Sequence, residues 1–372
     1  HNPYQSVPSN THSDSTMTEN YSHTHTLTHS LPPLLTLLLG FLLGYTLRWF
    51  YSHSIRPFEE ADERRKMYTG PTRVIPPHVK HVKQWVPNAN GQLIFQQHFI
   101  PKDFIAVIVM IHGYGDHAHH MTLQIILDFC MEGFAVLAMD AIGHGVSDGL
   151  HGHCESLDDI ARDYHDYIIT QRKLSIFQNK AFFLYGQSMG GAVAFNLCTK
   201  FTSSHIDGCI LSAPMVNISQ NMLPPKAVIA AANFIAKWIP LAPITPVPNV
   251  SDACFKLESK LLESLECNLN YRQKPRVATA LALQAATVDI SARMHEMAHP
   301  LLLLHGEADV ITCPDHTKLL YDNCSSEDKM LIIYPEAMHS LMAGDTEEQI
   351  AAIRGDIADW IRRRSCWTSF SY

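Results

Sequence analysis

Phe182-Phe183-Leu184-Tyr185-Gly186-Gln187-Ser188-Met189-Gly190-Gly191 decides how the rest of the chain is read. The run Phe182 to Tyr185 is apolar without interruption, as a strand covered on both faces requires. It then breaks into Gly-x-Ser-x-Gly, and Ala192-Val193-Ala194-Phe195-Asn196-Leu197 carries a helix pattern. A strand that turns so sharply into a helix lifts the Ser188 hydroxyl above the sheet and holds it in strained backbone geometry. Side chains cannot crowd such a turn, and Gly186, Gly190 and Gly191 supply the clearance. The main-chain N–H of Met189 is left at a helix N-terminus, where the dipole favours an oxyanion. The five letters alone also fit an ordinary serine before a glycine-softened helix. The strand before and the helix after argue for a nucleophile.

Outward from this turn, strands and helices alternate. Strands are expected at Gln92 to Phe99, Ile105 to Ile111, Phe134 to Met139, Cys209 to Leu211, Leu301 to Leu304 and Met330 to Tyr334. Helices are expected at Met121 to Met131, Leu157 to Gln171, near Asp315 to Tyr321, and at Glu347 to Arg363. This rhythm predicts an α/β domain over residues 86–365, with a mostly parallel sheet and helices on both faces. It breaks between about residues 214 and 293, where no strand is evident. Pro224-Pro225 opens a helix at Ala227 to Ile239 that is apolar nearly all round, and a second helical stretch covers Lys274 to Gln284. This region is read as a helical cap inserted over the sheet, where ligands of open α/β sheets bind. An all-round apolar helix must bury itself against protein or lipid.

The ends read differently. Residues 1–30 are polar and rich in Ser, Thr, His and Asn, and are expected to form a disordered tail. Residues 31–51 hold an uncharged apolar run ending in Arg48-Trp49-Phe50-Tyr51, read as an N-terminal transmembrane helix. Lys and Arg follow the run and do not precede it, which orients the catalytic part toward the cytosol; plastid targeting is the other reading of this N-terminus. A charged connector spans residues 52–85, and residues 366–372 form a C-terminal tail. The whole chain has 372 residues and a formal charge of −8, which argues against a nucleic-acid partner. Nine cysteines without a C-x-x-C pair read as reduced thiols.

A serine becomes a nucleophile only when a base takes its proton and a third group orients that base. Asp309 lies just beyond the strand Leu301 to Leu304, and His339 on the loop after Met330 to Tyr334. The order Ser188, Asp309, His339 is the one expected when an acid and a histidine follow the elbow on later strands. Glu307 is the rival acid. A second oxyanion donor is expected from His112-Gly113-Tyr114-Gly115-Asp116, with the N–H of Tyr114 as candidate and His112 bracing the loop. The glycine-rich turn Asp140 to Gly149 lacks the Lys-Ser/Thr of a phosphate loop and reads as the rim of the site. His295-Glu296-Met297-Ala298-His299 has the letters of a zinc-binding helix, but Pro300 follows at once. His153 and Asp158 have an H-x4-D spacing that carries little weight alone.

Together, His112-Gly-Tyr-Gly-Asp116, Asp140-x-x-Gly-His144-Gly-x-Ser-Asp148-Gly, Gly186-Gln-Ser188-Met-Gly-Gly, His305-Gly-x-Ala-Asp309 and Met338-His339-Ser340 resemble the monoacylglycerol lipase group of α/β-hydrolases. The texture is that of the plant-type branch, which includes caffeoylshikimate esterases; Tyr271-Arg-Gln-Lys-Pro-Arg276 and Leu211-Ser-Ala-Pro-Met215 are similar to it as well. The resemblance spans roughly residues 85–365. It implies an α/β-hydrolase fold and a serine esterase with Ser188, Asp309 and His339 as triad and Tyr114 with Met189 as oxyanion hole. It implies no cofactor and no metal. The expected substrate is a monoacylglycerol or similar lipid monoester, with the membrane as partner through the N-terminal helix and the apolar cap. An acyltransferase or a phenolic (caffeoyl) ester hydrolase on the same scaffold is the alternative, and a non-catalytic receptor the distant one. Asp116 and His120 stand near the expected head-group site, His120 where animal members have an arginine.

Overall fold

The computed structural model describes residues 37–46, 57–201, 206–217, 225–245 and 251–365. The chain divides into two compact units, residues 1–45 and 46–372. The described part of the first is helical, in a helix that runs over residues 37–46. At 1.5 Å per residue the described part of this helix is roughly 15 Å long, about half of a ~30 Å hydrocarbon core. No helix among the described residues is long and apolar enough to cross a membrane. The transmembrane anchor expected at residues 31–51 is therefore corrected, and with it the membrane partner and membrane localisation that depended on it. The rest of that apolar run, the polar tail 1–30 and the C-terminal tail 366–372 lie outside the described residues.

Eight strands form one sheet: β1 (Val79–Pro87), β2 (Leu93–Pro101), β3 (Ala106–Ile111), β4 (Phe134–Met139), β5 (Ala181–Gln187), β6 (Gly208–Ser212), β7 (Leu301–Gly306) and β8 (Lys329–Tyr334). Their order is β1-β2-β4-β3-β5-β6-β7-β8. The pairs β1–β2 and β2–β4 are antiparallel, and every later pair is parallel. Among the described residues of the second unit, the α-helices are α1 (Pro57–Met67), α2 (Met121–Met131), α3 (Leu157–Arg172), α4 (Met189–Lys200), α5 (Lys226–Ala236), α6 (Glu258–Glu266), α7 (Val277–Arg293), α8 (Pro314–Asn323) and α9 (Glu347–Ser365).

The central strands need apolar residues at every position because helices cover both faces. In β3, Val107, Val109 and Ile111 face one core cluster with Tyr164 of α3 and Val193 of α4. Ala106, Ile108 and Met110 face the other, with Phe129 of α2 and Trp360 of α9. The period of two thus divides one apolar run between two cores. Trp360 packs edge-on to Phe183 at 5.7 Å between ring centroids. Ser156 caps α3 by accepting from the N–H of Asp158 at 3.1 Å.

The insertion between β6 and β7 contains α5, α6 and α7 and no strand among its described residues. None of the residues of α5 is buried, and Phe234 is 63% exposed. The segment read as a connector over residues 52–85 holds α1 and most of β1. Helix α1 is fastened by polar contacts. Arg64, only 1% exposed, donates from Nε to the carbonyl of Gly145 (2.7 Å) and from Nη2 to those of Ser147 (2.7 Å) and Gly149 (3.0 Å).

Candidate active site

Strand β5 ends at Gln187 and α4 begins at Met189, so Ser188 is the single residue of the turn. Its backbone lies at φ 54° and ψ −118°, a left-handed conformation that a side chain rarely adopts. Three main-chain bonds enforce it. The N–H of Ser188 donates to Ser212 O (3.0 Å), and its carbonyl accepts from Gly191 N and Met215 N, each at 2.9 Å. A β-carbon on Gly190 would run into the carbonyl of Ile111, so the close approach of α4 to β3 demands glycine there.

Loop 112–116 lies beside this turn. His112 receives the N–H of Ala141 on Nε2 (3.0 Å), which leaves Nδ1 to donate to Gly113 O (2.8 Å). It therefore braces the loop. The Tyr114 hydroxyl donates to Gly152 O at 2.8 Å, and the Tyr114 main-chain N–H has no acceptor among the described residues. The N–H of Met189 opens α4 and so has no carbonyl in a preceding helical turn. Behind the loop, buried Asp140 accepts from Ala118 N (3.0 Å), Val146 N (3.0 Å) and His119 Nε2 (2.6 Å), tying it to the turn 140–149. Burial acts to raise the Asp140 pKa, but the charge and hydrogen bond of His119 prevail and hold it below the usual carboxylate range.

Asp309 and His339 meet at the ends of β7 and β8. His339 Nδ1 donates to Asp309 Oδ2 at 2.7 Å. The other carboxylate oxygen accepts from the N–H groups of Ile311 (2.8 Å) and Thr312 (3.1 Å). Burial again works to raise the Asp309 pKa, and again loses. The charge of His339, with hydrogen bonds from His305 and His339, keeps the carboxyl well below its ordinary range. An ionised Asp309 fixes the tautomer of His339 with Nε2 unprotonated, the form a general base needs. Ser188 and His339 both line one cavity of ≈ 730 Å³, as do Tyr114 and Met189.

The remaining expected residues fall out unevenly. Glu307 is exposed, whereas Asp309 is hydrogen-bonded to His339. Asp116 lines the cavity, but Oδ1 accepts from His117 N (2.7 Å) and Oδ2 from the Thr122 hydroxyl (2.6 Å). His120 is buried and does not reach the cavity wall. His295 and Glu296 occupy one 3₁₀ turn, with Glu296 paired to Arg293 at 2.7 Å, so no sustained helix presents His295 and His299 together. His153 bonds Thr279 Oγ1 (2.8 Å) while Asp158 pairs with Lys200 (2.7 Å), so that spacing builds no dyad.

Two groups were given no role in the sequence reading, although His305 opens the motif that ends at Asp309. Thr312 contacts both Asp309 Oδ2 (2.8 Å) and His339 Nδ1 (3.2 Å), and His305 lies 3.1 Å from Asp309 Oδ2. The cap segment is joined to loop 112–116 by the N–H of Tyr271, which donates to Gly115 O at 2.8 Å.

The sequence profile of a family described as serine aminopeptidase, S33 matches residues 102–347. Caffeoylshikimate esterase of Arabidopsis thaliana is 31% identical over 285 residues, covering 76% of this chain and 86% of that protein. Monoglyceride lipase of Homo sapiens is 25% identical over 312 residues, covering 82% of this chain and 96% of that protein. Among solved structures, a soluble variant of monoglyceride lipase from Saccharomyces cerevisiae with a substrate analog superposes with a TM-score of 0.69 at 17% identity, over 79% of this chain and 97% of that one. The last likeness is one of fold.

Proposed function

The chain belongs to the serine aminopeptidase S33 family of α/β-hydrolases and is a carboxylic ester hydrolase, and on that footing we propose that it cleaves an ester through an acyl-enzyme on Ser188. One observation carries the assignment of the residues. A serine in strained elbow geometry and a histidine oriented by a buried carboxylate open onto the same cavity. Ser188 Oγ attacks the ester carbonyl while His339 Nε2 takes its proton, and Asp309 stabilises the imidazolium. The N–H groups of Tyr114 and Met189 receive the oxyanion. Collapse of the tetrahedral adduct expels the alcohol, which takes the proton from His339. Water then repeats the sequence on the acyl-enzyme and releases the acid.

For the acyl group, the reading favoured is a phenolic ester of the caffeoyl type, ahead of the monoacylglycerol reading that the sequence motifs suggest. The relative named for caffeoylshikimate is the more similar of the two at 31% against 25% identity. The cavity also presents aromatic walls: Tyr114 and Tyr271 stand edge to face at 5.9 Å, and Phe255 joins them. The monoacylglycerol reading keeps support from Val228, Ile229 and Ala232 of α5, an apolar strip along the same cavity.

The test is side-by-side hydrolysis of a caffeoyl ester and a long-chain monoacylglycerol by the full chain and its Ser188→Ala variant. A higher kcat/KM on the caffeoyl ester is expected, with kcat lowered on the order of 10⁴- to 10⁶-fold in the variant. Near-normal turnover by Ser188→Ala would refute the nucleophile, and preference for the monoacylglycerol would reverse the acyl assignment.

A further inference from the structure

Thr312 stands where the two halves of the site meet. Its hydroxyl lies 2.8 Å from Asp309 Oδ2 and 3.1 Å from the carbonyl of Ala213. Ala213 follows β6 in a left-handed backbone conformation, at φ 45°. The residues flanking it fix the elbow: Ser212 O accepts from Ser188 N, and Met215 N donates to Ser188 O. The main-chain N–H of Thr312 also donates to Asp309 Oδ1 at 3.1 Å. One residue, 3% exposed, thus touches both carboxylate oxygens and the segment that supports the nucleophile. His305 sets Thr312 in turn. Its Nε2 faces two acceptors, the Thr312 carbonyl (3.2 Å) and Asp309 Oδ2 (3.1 Å), and so carries a proton, while Nδ1 bonds the Thr317 hydroxyl at 2.8 Å.

Asp309 Oδ2 is therefore shared among His339, Thr312 and His305. A donor to a carboxylate takes up charge that would otherwise hold a proton on the neighbouring imidazole. We propose that Thr312 is a positioning residue for ester cleavage: its hydroxyl ties Asp309 to the support of the elbow and moderates the grip of that carboxylate on His339. The inference rests on the acyl-enzyme reading and adds to it what sets the pH range in which the base works. The other titratable groups around Asp309 leave this role to Thr312. Burial first, and then the Asp309 charge, push the Cys254 thiol up to about 12 and keep it neutral. His316 of α8 bonds Asn217 at 3.1 Å. Glu307 and Glu336 are exposed, and Glu336 lies 3.7 Å from Lys256.

The test follows the second-order rate of Ser188 labelling by a fluorophosphonate across pH, read by mass spectrometry of the full chain. This readout does not depend on which ester the enzyme prefers. Thr312→Val and Thr312→Ala remove the hydroxyl, and Thr312→Ser keeps it without the methyl group. In the Val and Ala variants the plateau rate is expected to fall about 10- to 100-fold, the worth of one hydrogen bond to a charged group. Their acid limb is expected to move up by about one pH unit, because a less shared carboxylate keeps His339 protonated to higher pH. Thr312→Ser is expected to restore both. Thermal unfolding checks folding, and the Ala and Ser pair decides the matter should Thr312→Val not fold. A purely structural threonine lowers stability and leaves the limb in place. An unmoved limb in the hydroxyl-free variants, or a Thr312→Ser protein that behaves like Thr312→Ala, overturns the inference and leaves the acyl-enzyme standing. Absence of Ser188 labelling in the unsubstituted chain overturns the reading on which it rests.

Discussion

Ser188 holds a conformation that its neighbours impose and that its own side chain resists. A non-glycine residue at positive φ costs on the order of 1–3 kcal/mol, and here the sheet bears it. Ser188→Gly is therefore expected to abolish turnover while raising unfolding stability by roughly 0.5–1 kcal/mol, measured by denaturant titration. Asp163 offers a second test. It is half-buried on α3, where burial first, and then Asp166 and Asp159, push its pKa up to about 6 against the opposing hydrogen bond from Asn88. A carboxyl with a raised folded pKa contributes stability that is full below about pH 4 and is lost as pH rises through about 6. Asp163→Asn is expected to remove that decline and to stabilise the protein at pH 7 by roughly 1–2 kcal/mol after allowance for partial exposure, read from unfolding across pH. At this scale the sequence was informative where residue order constrains topology. Ser188, Asp309 and His339 could be put forward as a triad because each follows an apolar strand, and Asp309 and His339 are in contact. Thr312 could not, because a hydroxyl three positions beyond Asp309 carries no pattern until the loop is folded. His120 misled for a related reason: its distance along the chain from Asp116 does not determine which way it faces.

Elements were legible in proportion to how much apolar surface they bury. Helix α2 and strand β4, buried along nearly their whole length, have the bounds the hydrophobic pattern predicts. Strand β1 escaped notice because it is an edge strand, with Lys and His interleaved and a single position fully buried. Helix α1 escaped because it has no apolar stripe; its sequence is PFEEADERRKM, and it docks through Arg64 on carbonyls of the turn 145–149. That turn leads to Gly152, whose carbonyl holds the Tyr114 hydroxyl. Glu60 of α1 also accepts from His151 N (3.2 Å) and lies 3.6 Å from Arg276 at the start of α7. A helix outside the family match thus supports the loop 112–116 and the cap together. Arg64→Met leaves three carbonyls unpaired, two of them buried, and is expected to cost about 2–4 kcal/mol. The midpoint of denaturant unfolding should fall with its slope unchanged. Catalysis should suffer through kcat more than KM.

For the molecule as a whole, alternating strands and helices announced the α/β sheet, and the cap showed itself as the one long break in that alternation. The antiparallel pairing of β1 with β2 was not legible, since β1 itself was not seen, and the antiparallel pairing of β2 with β4 was not legible because strand direction leaves no mark in an apolar pattern. The expected anchor failed for a different reason. Counting apolar residues over 31–51 measures the length of a run, whereas spanning depends on a long apolar helix, and none is present among the described residues. The parallel order of the sheet has a further consequence, which concerns time. Strand β5 delivers Ser188 to the centre of the sheet, but its partners arrive on β7 and β8, on the far side of the cap and at the end of the parallel series. A growing chain therefore carries the serine for on the order of ten seconds before the His339 loop has been synthesised. Until the last edge strand zips onto its neighbour, the serine is only an alcohol. On the mechanism proposed above, the nascent chain is expected to leave esters uncleaved until the sheet is complete.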